Sequence, residues 1–296
     1  MISVRRLGHA SFSTPDLDRQ VDYYSNVLGL RIVERDRDRA FLACRTGLEA
    51  IALERGAEVA LRRLSFQVAP GSDFAAIAQQ LGEHGIKSER RSGISPGIAD
   101  ALVFTDIKGT LIELFSDYRF IADDGVQAVV TPLKLGHVAY RVTDVQAVTK
   151  FYTDVLGFRV SDWRDTTFSF LRCNTDHHTV NFVVDPKPQL HHIAFEVKDW
   201  PEIHRACDFL AKNQIQLVWG PARHIIGHNI AAYHRNSDYV RVELFCEMDQ
   251  MKDEALGWFD PRPWHQDRPQ LPKTWPKDTM RNYWGFASHG TFPGYP

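Results

Sequence analysis

The chain has 296 residues, 44% hydrophobic and 24% charged, with 35 basic against 37 acidic side chains. That length suits two domains, and that composition suits a soluble globular protein. Near-neutral charge, with no basic stripe or acidic tail, argues against a nucleic-acid partner, and no apolar run nears the roughly 18 residues that a membrane-spanning helix needs.

The chain enters a strand-like pattern at once, without a signal sequence, so a cytoplasmic location is expected. The first predicted strand is Leu7-Gly8-His9-Ala10-Ser11-Phe12. A helix follows, with Leu17, Val21, Tyr24 and Leu28 on one face and Gly29 as its stop. Alternating strands are predicted at Ala40 to Cys44 and Leu64 to Val68, and a second helix from about Asp73 to Gly85. The segment Ile112-Glu113-Leu114-Phe115 closes the first half, and a linker runs from about Tyr118 to Lys134.

The pattern then repeats. Leu135-Gly136-His137-Val138-Ala139-Tyr140 matches the opening strand 128 positions on, and Val155-Leu156-Gly157-Phe158-Arg159 matches Val27-Leu28-Gly29-Leu30-Arg31 at the same offset. Val242-Glu243-Leu244-Phe245 matches Ile112 to Phe115 at an offset of 130. Similarity at near-constant offset marks an internal duplication. The second half has a helical face of Val145, Val148, Tyr152 and Val155. Strands follow at Thr167 to Cys173 and His192 to Val197, then a helix from Trp200 to Asn213 that starts at Asp199 with Pro201 in its first turn. Each half reads as two βαβββ units, an α+β fold of two homologous domains. The expected divisions are 1–125, 133–248 and a tail over 249–296. That tail holds Trp258, Trp264, Trp275 and Trp284 among Pro261, Pro263, Pro269, Pro272 and Pro276. Prolines at this density predict irregular chain, and the tryptophans predict packing on the second domain.

Thirteen histidines invite a search for metal ligands, whereas Cys44, Cys173, Cys207 and Cys246 lack C-x-x-C spacing and read as reduced thiols. Candidate ligands lie in three alternating runs: His137, the adjacent pair His191 and His192, and Glu243. Strand side chains alternate between faces, so two imidazoles and a carboxylate could share one face, and only one of the adjacent pair could join them. Such a facial triad leaves coordination positions open and suits non-haem Fe(II), with Mn(II) as an alternative.

At these residues the chain resembles the type I extradiol ring-cleavage dioxygenases of the vicinal oxygen chelate superfamily. The run Gly220-Pro221-Ala222-Arg223-His224, then Tyr233, then Val242-Glu243-Leu244-Phe245 carries the resemblance, which extends over nearly the whole chain. It implies His137, His192 and Glu243 as metal ligands, with His192 rather than His191 chosen from the pair. It implies catalytic roles for His178, His224 and Tyr233, with His178 as general acid in O–O cleavage. Trp219, Arg223, His228, Asn229 and Arg281 become candidate substrate contacts. A small aromatic diol and O2 are the implied substrates, and a homotetramer the implied assembly. Trp219 stands where carboxylate-binding relatives have arginine, which favours a neutral diol. Asn236-Ser237-Asp238-Tyr239 replaces the usual turn of the last hairpin. In the first half, Arg63 stands where His192 stands in the second, so that domain is expected to bind no metal. Two rivals remain on this scaffold: a glyoxalase-like isomerase or transferase, and a metal-free aromatic-binding resistance protein.

Overall fold

In the computed structural model, residues 2–122, 124–260 and 270–286 are described. Trp264, Pro261, Pro263 and Pro269 lie outside them. The first half comprises β1 (Val4–Thr14), α1 (Leu17–Asp22), β2 (Arg31–Arg35), β3 (Arg39–Ala43) and β4 (Glu49–Arg55). It continues with β5 (Ala60–Val68), α2 (Phe74–Glu83), β6 (Ser88–Ser95), β7 (Ile98–Thr105) and β8 (Leu111–Phe115). These strands form one eight-stranded sheet in the order β2-β3-β4-β1-β5-β8-β7-β6.

The second half repeats this arrangement. Its first unit is β9 (Lys134–Val142), α3 (Val145–Asp154), β10 (Arg159–Arg164), β11 (Phe168–Arg172) and β12 (Val180–Val184). Its second is β13 (Gln189–Glu196), α4 (Trp200–Lys212), β14 (Trp219–His224), β15 (Ile230–Arg235) and β16 (Arg241–Cys246). The tail adds β17 (Met251–Asp253), β18 (Trp258–Phe259), β19 (Lys273–Trp275) and β20 (Asn282–Gly285). The resulting ten-stranded sheet runs β19-β10-β11-β12-β9-β13-β16-β15-β14-β20.

Local chemistry accounts for the repeated elements. The face Leu17, Val21, Tyr24 and Leu28 is buried, although α1 gives way to a π-turn over Tyr23–Val27. Gly29 has φ +69, and a Cβ there would meet the Val130 carbonyl oxygen at 2.0 Å, so no other residue fits. Asp199 caps α4 by accepting from the Glu202 amide. Gly8 and Gly136 explain one matched pair of the duplication. A Cβ on Gly8 would lie 2.7 Å from the Phe115 ring, and one on Gly136 would lie 2.5 Å from the Phe245 ring. Each Gly-His strand passes under the phenylalanine of its own Glu-Leu-Phe strand.

Among the described residues, tail segment 270–286 contains two short strands where its composition predicts irregular chain. These two strands pair with the two sheet edges: β19 runs parallel to β10, and β20 antiparallel to β14. An edge strand needs partners on one side only, so short segments between prolines can serve. Trp275 and Trp284 are half-buried there. Trp258, by contrast, is 44% exposed, because its neighbour Phe259 takes the inward position of β18.

By contacts the chain divides into two units, Met1–Leu135 with Lys150–Phe158, and Gly136–Thr149 with Arg159–Pro296. The C-terminal part of α3 thus belongs with the first unit, where the Tyr152 hydroxyl donates to Asp106 at 2.9 Å. No helix among the described residues is long and apolar enough to cross a membrane.

Candidate metal centre

Three neighbouring strands of the second sheet build the centre. β9 carries His137, β13 carries His192 and β16 carries Glu243, and the three lie at the middle of the strand order. All three side chains are buried. The separations are 3.2 Å between the two Nε2 atoms, and 3.1 Å from each of them to Glu243 Oε2. Three mutually perpendicular metal–ligand bonds of about 2.2 Å end about 3.1 Å apart, so this triangle matches one face of an octahedral site. Among the described residues it is the one group of three His, Cys, Asp or Glu side chains with ligand atoms this close.

The proton balance favours metal. Burial pushes the His192 imidazole down to about 4, against the pull of Glu243. Burial pushes the Glu243 carboxyl up, but His137 and His192 outweigh it and hold it well below the usual carboxylate range. Near neutrality the site therefore offers a bare imidazole beside a carboxylate, the forms a metal requires. His191, the other member of the pair, is not part of the triangle. Its Nδ1 lies 2.6 Å from His192 Nδ1, and Arg241 contacts its Nε2 at 3.0 Å.

A second set of groups stands around the triangle. Cross-strand register sets a row on one face: Trp219 on β14 pairs with Tyr233 on β15, which pairs with Glu243 on β16. The Trp219 and Tyr233 rings stack at 4.7 Å. The Tyr233 hydroxyl lies 2.8 Å from His224 Nε2. Burial, then Glu243, raises the Tyr233 phenol well above its ordinary value and keeps it protonated. Asn282, on tail strand β20, completes this network. With its carboxamide turned to satisfy both ends, it donates to His224 Nδ1 at 2.8 Å and accepts from Trp219 Nε1 at 3.0 Å. On the other side, the His178 ring packs on His137 at 4.4 Å. Burial, followed by His137 and His177, holds His178 well below the usual histidine value.

A cavity opens from these groups. His137, His178, His192, Trp219, His224, Asn229, Tyr233, Glu243 and Arg281 all line it. Phe168, Phe170, Val183, Ile226 and Met280 give it an apolar wall, and Arg164 and Asn181 also reach it. Asn229 has a further contact, donating to Glu243 Oε1 at 3.0 Å. Arg223 and His228 are not among the lining residues. Arg223 donates to the His228 carbonyl and to Glu247, and His228 Nδ1 meets Asp249 at 2.6 Å. Sequence reasoning assigns no role to Asn282, Asn181 or Phe168. Only the tail's place in the sheet, and the pairing of Asn181 with Ala139 on β9, bring them to the site.

The matching place in the first half is filled by protein charge. Arg63 Nε lies 3.0 Å from Glu113 Oε1, and His9 Nε2 lies 3.3 Å from Glu113 Oε2. Strand register puts Arg63 where His192 stands, since Arg63 pairs with Leu111 two places before Glu113, and Ile193 pairs with Val242 one place before Glu243.

Comparison with known proteins agrees with this architecture. A 2,2',3-trihydroxybiphenyl dioxygenase of Sphingomonas paucimobilis is 30% identical over 225 residues, which is 69% of this chain and 76% of that protein. A biphenyl-2,3-diol 1,2-dioxygenase of Paraburkholderia xenovorans is 25% identical over 304 residues, covering 95% and 97%. Among solved structures, the Mn(II)-bound glyoxalase from Novosphingobium aromaticivorans superposes with a TM-score of 0.86 at 25% identity, covering 100% of this chain and 96% of that one. The sequence profile of one family matches both halves, at residues 6–114 and 134–244. The chain belongs to the Glyoxalase/Bleomycin resistance protein/Dioxygenase superfamily.

Proposed function

We propose that the protein is an extradiol dioxygenase: with a non-haem Fe(II) centre it opens the ring of a catechol-type diol beside its two hydroxyls, using both atoms of O2. The observation that carries this reading is the buried His137–His192–Glu243 triangle, set in one cavity with His178, His224 and Tyr233. Relatives named 2,2',3-trihydroxybiphenyl dioxygenase and biphenyl-2,3-diol 1,2-dioxygenase support it. A divalent metal held by the triangle would act as a Lewis acid that eases loss of a phenol proton and gathers the diol and O2 in one place.

The chain's own residues do the rest. Tyr233 presents a protonated phenol to a substrate oxygen, held in place by His224. His178 takes a proton from the diol at its cavity-facing nitrogen and returns it as general acid. Phe168, Phe170, Val183, Ile226 and Met280 take the ring substituent and keep water away. Fe(II) is the proposed metal. Mn(II) fits the same ligand set, and one relative is named as a manganese-dependent 2,3-dihydroxybiphenyl 1,2-dioxygenase. Residues 133–248 form the proposed catalytic domain, 249–296 complete its sheet edges, and 1–125 are its metal-free counterpart. A homo-oligomer in the cytoplasm completes the proposal. The four free cysteines suit a reducing compartment.

Anaerobic reconstitution with Fe(II) or Mn(II), followed by oxygen uptake with 2,3-dihydroxybiphenyl and 3-methylcatechol, tests the reading. One metal per chain, and one O2 consumed per diol with a yellow product, is the expected result. Metal binding without oxygen uptake, together with isomerisation of the methylglyoxal–glutathione adduct, would instead establish the glyoxalase-like reading. Failure to bind metal would overturn the dioxygenase reading and leave the resistance-protein reading.

A further inference from the structure

His178 is the inner end of a buried chain of side chains that starts at a carboxylate. Asp162 on β10 is 5% exposed, and its Oδ1 accepts from the Lys273 amide at 2.9 Å. Its Oδ2 accepts from the Trp275 indole at 2.8 Å and lies 3.0 Å from His177 Nε2. His177 Nδ1 lies 3.0 Å from His178 Nδ1, with the two rings nearly perpendicular at 89°. His177 itself is 1% exposed and does not line the cavity, whereas His178 does. Gly227 crosses the ring pair so closely that a Cβ would sit 3.1 Å from His177 Nδ1 and 3.4 Å from His178 Nδ1. The two rings are therefore held between the loop, β10 and the tail strand β19.

These contacts have a direction. A carboxylate only accepts, so His177 Nε2 must carry the hydrogen toward Asp162. A neutral imidazole has one N–H, which leaves His177 Nδ1 as an acceptor. His178 Nδ1 must then be the donor, and its Nε2 the bare nitrogen. We propose that Asp162 and His177 are positioning residues that fix the ring and tautomer of His178, so that its Nε2 lone pair faces the cavity as an acceptor for a substrate hydroxyl. The tail takes part, because Lys273 and Trp275 hold the carboxylate at the outer end. The role in turnover rests on the dioxygenase reading; the tautomer does not.

Two variants separate orientation from simple packing. His177→Phe retains a flat ring among Phe170 and Phe259, whose rings lie 5.8 and 5.2 Å from His177. It leaves Asp162 with its two tail donors but gives His178 Nδ1 no acceptor. His177→Gln restores an acceptor oxygen. The expected result is unchanged metal content and KM, kcat at least about tenfold lower in His177→Phe, and recovery of most of that loss in His177→Gln. Nitrogen-15 spectra of the Zn(II)-loaded full chain, with the His178 signals identified by their loss in His178→Phe, read the tautomer without turnover. The Nδ1–H form is expected in the wild type and in His177→Gln, and a mixture in His177→Phe. An Nε2–H form in the wild type overturns the proposal, as does wild-type kcat in His177→Phe. If no diol is turned over by the wild type, the dioxygenase reading fails while the spectra still decide the tautomer.

Discussion

Tyr233 stands directly opposite Glu243 on the adjacent antiparallel strand, so a phenol and the buried carboxylate of the candidate metal centre share one face of the sheet. The same phenol lies 2.8 Å from His224 Nε2, which joins two catalytic candidates into one unit. Tyr233→Phe removes the hydroxyl and keeps the ring that stacks on Trp219. Metal content should stay at the wild-type value, and kcat should fall by about 10²-fold, the lower end of what acid–base groups contribute. Metal analysis and steady-state kinetics on the same preparation check this. Loss of metal from the variant would make Tyr233 a support for Glu243 rather than a group that meets substrate.

Metal stoichiometry tests the two halves against each other. His137→Ala, His192→Ala and Glu243→Ala should each lose metal and activity, because each leaves two ligands of the triangle. His191→Ala should keep metal, since its side chain contacts Arg241 and the far nitrogen of His192. The wild type should hold one ion per chain. In the first half the Arg63 guanidinium already lies against Glu113 at 3.0 Å, and a fixed cation there repels a second ion. Elemental analysis of the purified proteins is the measurement. Two ions per chain, or metal retained in His192→Ala, would contradict the assignment.

The candidate triangle was partly legible: the repeat and strand alternation pointed to His137, Glu243 and one of the pair His191 and His192, and the family resemblance chose His192; the structure brings His137, His192 and Glu243 together. The four βαβββ units followed from the same repeat, down to the Asp199 cap and the turn at Gly29. The tail was not legible. Its prolines suggested irregular chain, and nothing local in Lys273–Trp275 or Asn282–Gly285 announces a strand that forms only by pairing with a distant sheet edge. Asn282 and Asp162 were missed for that reason, as their partners lie far away in sequence: Asn282 is 58 residues from His224, and Asp162 is 113 from Trp275. Arg223 and His228 went the other way. Their nearness in sequence to His224 suggested substrate contact, but Glu247 and Asp249 draw them outside the cavity lining.

Acid sensitivity should trace in part to His234, the residue after Tyr233 and on the opposite face of β15. It is fully buried, and burial pushes its imidazole down to about 3. The unfolded chain takes up this proton below about 6.5, whereas the folded chain resists until about 3. Stability linked to His234 is thus present above pH 6.5 and is lost as pH falls toward 3. At pH 5 the loss is about 2 kcal/mol, from about 1.4 kcal/mol for each pH unit below 6.5. Denaturant unfolding of wild type and His234→Gln at pH 7.5 and 5 measures it. The drop between the two pH values should be smaller in the variant by about that amount; an equal drop would assign the acid sensitivity to other groups.

Substrate charge is the last expectation. Trp219 lines the cavity beside the metal triangle, and the far wall is apolar from Phe168 to Met280. A carboxylate on the diol would need a cation within reach. Arg281 and Arg164 also line the cavity, but the Arg281 guanidinium lies over the Trp219 ring at 5.8 Å, and Arg164 donates to the Lys277 carbonyl at 2.7 Å. An anion left unpaired in such a wall costs several kcal/mol, and each 1.4 kcal/mol is about tenfold in affinity. Neutral diols such as 2,3-dihydroxybiphenyl and 3-methylcatechol should therefore exceed 3,4-dihydroxyphenylacetate in kcat/KM by at least about tenfold. Trp219→Arg should shrink that ratio toward one. It should also lower kcat for every substrate, because the Trp219 indole donates to Asn282, which supports His224. The ratio of the two specificity constants separates these effects, since the damage to His224 cancels from it. If the acid is the better substrate of the wild type, Arg281 or Arg164 meets the carboxylate, and alanine at the responsible arginine would then abolish the preference.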